Sequence, residues 1–165
     1  MPKTTESSPP FEGVRVRGMF RIQLRENDEI VGDSDWVPNR VVNEGFLQYL
    51  TRTLGAQANS RQIALMMLGT GTAPATTDTS LNGELNTATY TRTSVNVSLV
   101  GSTAVEFRAT WASANAHITQ SVVLQNIGII YNTTSAGTLF AGTNYIQSTW
   151  NTNQDVNATY RINFS

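Results

Sequence analysis

The amino-acid sequence predicts an all-β protein: an antiparallel, jelly-roll-like β-sandwich with one short helix and an extended N-terminal arm. Three observations lead to this fold class. Apolar and small polar residues alternate through most of the chain, as they do in strands that bury one face. Turn signals rich in Gly, Asn, Asp and Ser recur roughly every 8–15 residues. A helical apolar pattern is confined to residues 44–54.

We expect residues 1–12 to form the arm and residues 13–165 to form the sandwich domain. The arm contains three prolines and two serines and shows no apolar periodicity, so it has little to bury. It predicts a flexible segment that becomes ordered on a partner. It also lacks the basic start and apolar run of a signal peptide, which favours synthesis in a cytoplasm.

The first strand is predicted over residues 14–24, where apolar residues alternate with arginines. The alternation slips near Gly18, which predicts a β-bulge there. The intervening arginines make one face of the strand basic, and they are Arg15, Arg17, Arg21 and Arg25. Nearby acids almost cancel their charge, so ion pairs within the sheet or with a protein partner are favoured over nucleic-acid binding.

A hairpin, an edge strand and the helix follow. Residues 26–28 predict a turn, and a return strand over residues 29–31 is broken by the Gly- and Asp-rich residues 32–35. A further strand is predicted over residues 36–42. Pro38 favours an edge position for it, because proline has no N–H to donate to a neighbouring strand. Asn43 is the predicted N-cap of the helix and Gly55 its stop. Four side chains are expected to form the apolar stripe of the helix against the sandwich: Phe46, Leu47, Leu50 and Leu54.

The rest of the chain predicts strands separated by turns. A Gly- and Thr-rich loop over residues 69–80 separates the first two of these strands, and a break is expected near Gln125-Asn126. The predicted strands cover residues 62–68, 88–100, 105–111, 117–124, 127–131, 138–149 and 156–164. The intervening turns are predicted at residues 101–102, 113–116, 133–137 and 151–154.

Charged residues are unevenly distributed along the 165-residue chain. The first 55 residues carry 15 of them, and the remaining 110 residues carry only eight. Soluble domains usually have charges at roughly a quarter of their residues, whereas a surface of hydroxyls and amides is typical of subunits in large assemblies. The pattern therefore predicts a structural assembly protein. A net charge of −1 argues against a nucleic-acid partner, and the absence of a long apolar stretch argues against a membrane partner.

No set of residues predicts an enzyme or a cofactor. His117 is the only histidine and has no neighbouring acid, so a turn or surface histidine is expected; with no cysteine either, the usual zinc sites are excluded. Asp33 and Asp35 could bind Ca²⁺, but the preference of Asp for turns explains them equally well. The segment Leu68-Gly69-Thr70-Gly71 lacks the further glycine or lysine of a phosphate-binding loop.

Tryptophans at strand ends raise the alternative of sugar binding, since an exposed ring stacks on the apolar face of a pyranose. The candidates are Trp36, Trp111, Tyr145 and Trp150. Trp111 fits a core-facing position. Trp150 stands beside Asn151 and Asn153 and is the better candidate for carbohydrate, although core or interface packing is favoured over sugar binding.

The loop Leu68-Gly69-Thr70-Gly71-Thr72-Ala73-Pro74-Ala75-Thr76-Thr77-Asp78-Thr79-Ser80-Leu81 resembles a pattern that recurs in tailed-bacteriophage virion proteins. The later segment Gln125-Asn126-Ile127-Gly128-Ile129-Ile130 resembles their Glu-x-Gly-Leu strand, with Asn126 where an acidic residue is common. Together the resemblance covers roughly residues 41–131.

The resemblance implies a head cement (decoration) protein or a tail or fibre component, built as an oligomeric β-sandwich without catalytic residues. We expect a cement protein on the capsid surface that binds across neighbouring major capsid subunits and assembles as a homotrimer. The alternative is a tail-tip or fibre module that recognises a host glycan. The predicted partner-binding residues are Pro9, Pro10, Phe11, Arg15, Arg17, Arg21 and Arg25.

Overall fold

The structure, a computed structural model, describes residues 13–85, 87–131 and 138–165. These residues form two antiparallel sheets that pack face to face, which confirms the predicted all-β sandwich. The finer jelly-roll assignment stays a prediction. The predicted arm and the predicted turn at residues 133–137 lie outside the described residues.

Six strands form the larger sheet, sheet A. They are β1 (Val16–Glu26), β2 (Glu29–Asp33), β3 (Val37–Pro38), β7 (Asn96–Val100), β8 (Ala104–Trp111) and β11 (Asp155–Phe164). Their order across the sheet is β2-β1-β11-β8-β7, and β3 pairs with β1 on the same side as β2. The chain ends of the domain thus meet in the middle of sheet A, since β11 lies between β1 and β8.

Five strands form sheet B. They are β4 (Arg40–Val41), β5 (Leu65–Gly69), β6 (Thr93–Ser94), β9 (Val122–Ile130) and β10 (Leu139–Trp150), in the order β4-β10-β9-β5-β6. The middle of this sheet is buried on both sides. Met66 and Leu68 face the main core, whereas Met67 packs in a second cluster with Leu81 of the long loop that follows β5. A sheet covered on both faces has no room for charge, which explains part of the low charge of the second half of the chain.

An aromatic cluster joins the two sheets. Phe20, Tyr160 and Phe107 are cross-strand neighbours on the inner face of sheet A, and the Phe20 and Tyr160 ring centroids lie 4.4 Å apart. Phe140 of sheet B meets Tyr160 edge-on at 6.2 Å. Offset and edge-on ring pairs add about 0.5–1.5 kcal/mol each beyond the burial of their area. The cluster therefore forms the centre of the core.

The predicted bulge at Gly18 is wrong. The pairing of β1 with β11 runs without a shift from Val16 to Arg25, and the register shift lies between Leu24 and Arg25 on the β2 side. Gly18 occupies an inward position in phase with its neighbours. A Cβ there would collide with the side chains of Asn39 and Tyr160, so the missing side chain makes room for the Asn39-to-Tyr160 hydrogen bond of 3.0 Å.

The turn after β1 and the edge position of Pro38 are confirmed, but the strand predicted over residues 36–42 divides into β3 in sheet A and β4 in sheet B. Asn27 and Asp28 both adopt positive φ, at 50° and 67°, as the two central residues of a tight hairpin turn do. Pro38 lies in β3, which pairs with β1 at the border of sheet A. The chain then crosses to sheet B through Asn39.

The predicted helix exists but buries other side chains than expected. It consists of a π-helix, Gly45–Thr51, followed by a short helix α1, Arg52–Leu54. Asn43 is already helical, so it is not the N-cap. The π-helix winds more widely than an α-helix, so an α-helical stripe does not keep to one face. The buried residues are Gly45 and Tyr49, whereas Phe46, Leu47 and Leu54 are exposed. No helix among the described residues is long and apolar enough to cross a bilayer.

Two further strand predictions need correction. The strand predicted over residues 88–100 begins only at Thr93 and divides at Val95, where the chain passes from β6 in sheet B to β7 in sheet A. The strand predicted over residues 117–124 starts at Val122, and β9 then continues without the break expected at Gln125-Asn126. The irregularity lies in the partner strand instead, between Asn144 and Ser148 of β10.

Candidate functional site: an arginine-rich face of sheet A

The outward side of sheet A is a continuous polar surface. Strand pairing sets Arg21, Thr159 and Arg108 side by side across β1, β11 and β8. The next row, two residues along, contains Gln23, Asn157 and Thr110, and the row on the other side contains Met19, Arg161 and Glu106. We call the outward side of β1, β11 and β8, with the arginines at positions 15, 17, 21, 25, 108 and 161, the arginine face.

Two of the four arginines predicted to contact a partner are engaged inside the domain. Arg21 donates three hydrogen bonds to the Asp33 carboxylate, the shortest measuring 2.6 Å, and Gln23 donates a fourth at 2.8 Å. The bond from Arg21 is the main cause that lowers the pKa of Asp33 to about 2. Arg25 donates to the backbone carbonyl of Asp28. These contacts fasten the first hairpin.

The other two, Arg15 and Arg17, lie exposed at the start of β1. Neither forms an ion pair with any residue in the ranges 13–85, 87–131 and 138–165. Reciprocal backbone hydrogen bonds with Ser165 fix the position of Arg15 beside the last strand. Its side chain has no acidic partner within those ranges. The end of the arginine face that has no ion pair within the described ranges therefore lies close in sequence to residue 13, where the described part of the chain begins.

A buried carboxylate organises the far side of this face. Glu106 is only 2% exposed and receives hydrogen bonds from Arg108 and Arg161 on neighbouring positions. Burial by itself would raise the pKa of Glu106, but the two guanidinium groups outweigh burial and hold that pKa below its usual range. Trp36 packs on Arg161, with the guanidinium carbon 4.7 Å from the ring centroid. Glu106 therefore stays ionised and fixes two cations on the surface.

A shallow cavity of about 420 Å³ lies between these groups. Its lining mixes one half-buried ring with guanidinium, amide and hydroxyl groups, contributed by Arg21, Gln23, Trp36, Arg108, Thr110, Asn157, Thr159 and Arg161. Sequence reasoning missed this concavity. The outward alternation of β8 and β11 was visible in the sequence, but their adjacency to β1 follows only from the sheet order.

The sugar-binding candidate Trp150 is wrong. Its side chain is 1% exposed, and its Nε1 donates to the backbone carbonyl of Gln154 at 2.8 Å. Trp111 is buried in the core, as expected, with its Nε1 bonded to the Thr91 carbonyl. Tyr145 is buried as well. Trp36 is the tryptophan that reaches the surface.

The histidine and the aspartates considered as candidate site residues make contacts inside the domain. His117 follows a short 3₁₀ turn, but it is buried and not at the surface, and burial lowers its pKa. Asp33 binds Arg21, and the Asp35 backbone N–H donates to Asp33. Within the described ranges no three histidine, aspartate or glutamate side chains lie close enough together to hold a metal ion.

The loop over residues 68–81 and the segment over residues 125–130 of β9 lie against each other. Asn126 is fully buried, and its Nδ2 donates to the backbone carbonyls of Thr72 at 2.9 Å and Asn82 at 2.7 Å. Gly69 leaves the space for this amide, since a Cβ there would collide with Asn126 Oδ1. One side chain of β9 thus holds both ends of the long loop.

Comparisons with protein-family models, with curated proteins and with solved structures found no match for this chain. Its function is therefore inferred from its surfaces and from the sequence resemblance.

Proposed function

We propose that this protein is a structural component of a tailed-phage virion: a cement (decoration) protein on the capsid surface that binds across neighbouring major capsid subunits. One observation carries the proposal. The exposed Arg15 and Arg17, which have no acidic partner in the described parts of the chain, adjoin the start of the domain at residue 13. A basic surface continuous with a proline-containing segment of 12 residues suits a clamp on an acidic protein surface.

The composition of the domain supports the same role. Beyond residue 55 the chain has eight charged residues, and five of them are used in ion pairs inside the domain: Glu84, Arg92, Glu106, Arg108 and Arg161. The remaining surface consists largely of hydroxyl and amide groups, which pack against neighbouring subunits without burying charge. The proposal assigns no catalytic residue and no cofactor, because binding alone stabilises a capsid.

Decoration of capsid shells tests the proposal. Shells assembled without this protein are mixed with wild-type chain, with the Arg15→Glu/Arg17→Glu double variant, and with Arg40→Glu as a control on the exposed side of sheet B. We expect the double variant to bind at least about tenfold more weakly, since each reversal replaces an attraction by a repulsion. Arg40→Glu is expected to bind like wild type. Equal binding by all three proteins would contradict the proposal.

Two further measurements locate the contact. Because exposed charges are screened over about 8 Å at physiological salt, raising the salt should weaken wild-type binding more than binding by the double variant. A chain that lacks residues 1–10 should decorate shells less completely than the full chain. Full decoration by the shortened chain would remove the arm from the mechanism, and with it the role of Pro9 and Pro10.

The cavity beside Trp36 favours a second candidate, a tail-tip or fibre module that recognises a host glycan. An indole ring bordered by amides, hydroxyls and arginines offers stacking for a sugar ring and hydrogen bonds for its hydroxyls. The number of copies in purified virions separates the two functions: hundreds for a cement protein and a handful for a tail tip. For the second function, host-cell binding by purified protein should be lost in Trp36→Ala and retained in Arg40→Glu.

A further inference from the structure

Strand β7 is an open edge of sheet A. It is the last strand in the order β2-β1-β11-β8-β7, and all five of its residues, Asn96–Val100, are exposed. Its pairing with β8 is regular over the whole length, from Asn96 opposite Arg108 to Val100 opposite Ala104. On its other side no backbone group of the described residues pairs with it. Alternate N–H and C=O groups of β7 therefore point outward.

This edge lacks the features that normally keep sheet edges apart. Natural proteins protect such edges with charges, prolines, bulges or very short strands. Residues 93–104 contain neither a charged residue nor a proline, and the β7–β8 ladder has no bulge. The opposite border of the same sheet has three of these protections: acidic residues in β2, Pro38 in β3 and a register shift beside β2. The protein thus protects one border of sheet A and leaves the other open.

The open edge is also apolar on its inward side. Val97 and Leu99 are 58% and 81% exposed, although they stand beside Phe107 and Val105 on the core side of the sheet. A groove of about 330 Å³ begins at Val97 and runs between the π-helix and sheet A, with a mostly apolar lining that includes Leu50, Ile63 and Phe164. Exposed apolar side chains next to unpaired backbone groups are the usual target of strand addition.

We infer that β7 pairs with β7 of a second copy of this chain, antiparallel about a two-fold axis at Ser98. In this register Val97 lies opposite Leu99 of the second copy on the apolar side, and Asn96 lies opposite Val100 on the other. Only Ser98, on the axis, meets its own copy, and residues 97 and 99 lie about 7 Å along the strand from theirs. A charge at these positions would repel its own copy, so the absence of charge over residues 93–104 favours self-pairing.

A second copy fits this edge better than the chain's own N-terminal segment does. Residues 1–12 include three prolines, which have no N–H to donate to the open edge, and lack apolar alternation. The inference stands apart from the proposed function, because it rests on the β7 edge and not on the arginine face. It replaces the expected homotrimer by a two-fold dimer.

Size and hydrogen exchange of the full chain test this inference. Analytical ultracentrifugation is run over a range of concentrations on wild type, on Leu99→Lys, and on Ile146→Lys. Ile146 is the matched control, since it is 84% exposed on β10 of sheet B. We expect wild type and Ile146→Lys to form dimers, and Leu99→Lys to dissociate about 100-fold more readily, because the two-fold axis applies the substitution twice.

Hydrogen exchange of the unmodified chain gives an independent readout that needs no variant. The outward-pointing amides of β7, which do not bond to β8, should be protected at high concentration and lose protection on dilution, whereas amides of β9 should not change. Three results would overturn the inference: a wild-type trimer, equal dimerisation of Leu99→Lys, or outward-pointing β7 amides that are protected at every dilution in a monomer. The last result would mean that another segment of the same chain covers the edge.

Discussion

Replacing Glu106 by glutamine tests whether the buried carboxylate holds the arginine face together. The substitution keeps the size of the side chain and removes its charge. Glu106 is 2% exposed, whereas the side chains of its partners Arg108 and Arg161 are 63% and 34% exposed. Water therefore screens one side of each ion pair, and the amide still accepts one hydrogen bond.

The expected loss in free energy of unfolding follows from this intermediate exposure. Exposed ion pairs contribute about 0–1 kcal/mol, and removing one member of a fully buried pair costs about 3–5 kcal/mol. In Glu106 the carboxylate is buried, but both arginines that it pairs with are partly exposed. We therefore expect Glu106→Gln to lower the free energy of unfolding by about 2 kcal/mol, between these two limits. With a urea dependence of about 2 kcal/mol per molar for a chain of this size, the midpoint should fall by about 1 M.

Urea unfolding followed by tryptophan fluorescence measures this loss, with Asp33→Asn as the control. Asp33 also bonds an arginine on the same face, but its side chain is 24% exposed, so its loss should be the smaller. The folded state lowers the pKa of Glu106, so its contribution exists above the pKa of the unfolded chain and disappears as the pH falls through the folded pKa. The difference between wild type and Glu106→Gln should thus vanish at strongly acidic pH. An unchanged midpoint at pH 7, or a difference that does not shrink as the pH falls, would refute this reasoning.

Three further changes have defined outcomes. Gly45→Ala places a Cβ against the backbone carbonyl of Phe140 and should destabilise the protein by about 1–3 kcal/mol in urea unfolding, as overpacking does. His117 has a folded pKa lowered by burial, so the unfolded state takes up its proton first and wild type loses stability as the pH falls through about 6.5. His117→Gln should therefore show less loss of stability between pH 7 and pH 5 than wild type, and an equal loss would exclude His117 as the cause. Trp150→Phe removes a buried N–H donor and leaves its carbonyl partner unpaired, so it should cost about 1–3 kcal/mol while host-cell binding by the folded variant is unchanged. A loss of cell binding without a loss of stability would contradict this prediction and indicate that Trp150 contacts the ligand.

Much of the fold class could be predicted because strand alternation is a local property. The last strand illustrates this. Residues 156, 158, 160, 162 and 164 were expected on one side. The structure buries the first four, whereas Phe164, at the end of the strand, is 37% exposed. The helix failed for a local reason as well, since its pattern was read with α-helical spacing and the segment is a π-helix.

The candidate site was predictable only in part. The arginines of β1 share one face, as their spacing indicated, because alternate residues of a strand point the same way. The partners that surround them could not be found in this way. Glu106 and Arg161 are 55 residues apart in sequence and meet only because β8 and β11 pair in that register.

The local pattern of the sequence indicated most of the strands, their alternating faces and the uneven distribution of charge. Which of those faces are covered depends on how the two sheets are ordered and packed. Val97 and Leu99 alternate like core residues yet are exposed, because β7 ends its sheet, whereas the middle of sheet B is buried on both sides. The physical reason is that a side chain's direction follows from its own backbone, but its burial depends on which distant strand lies opposite.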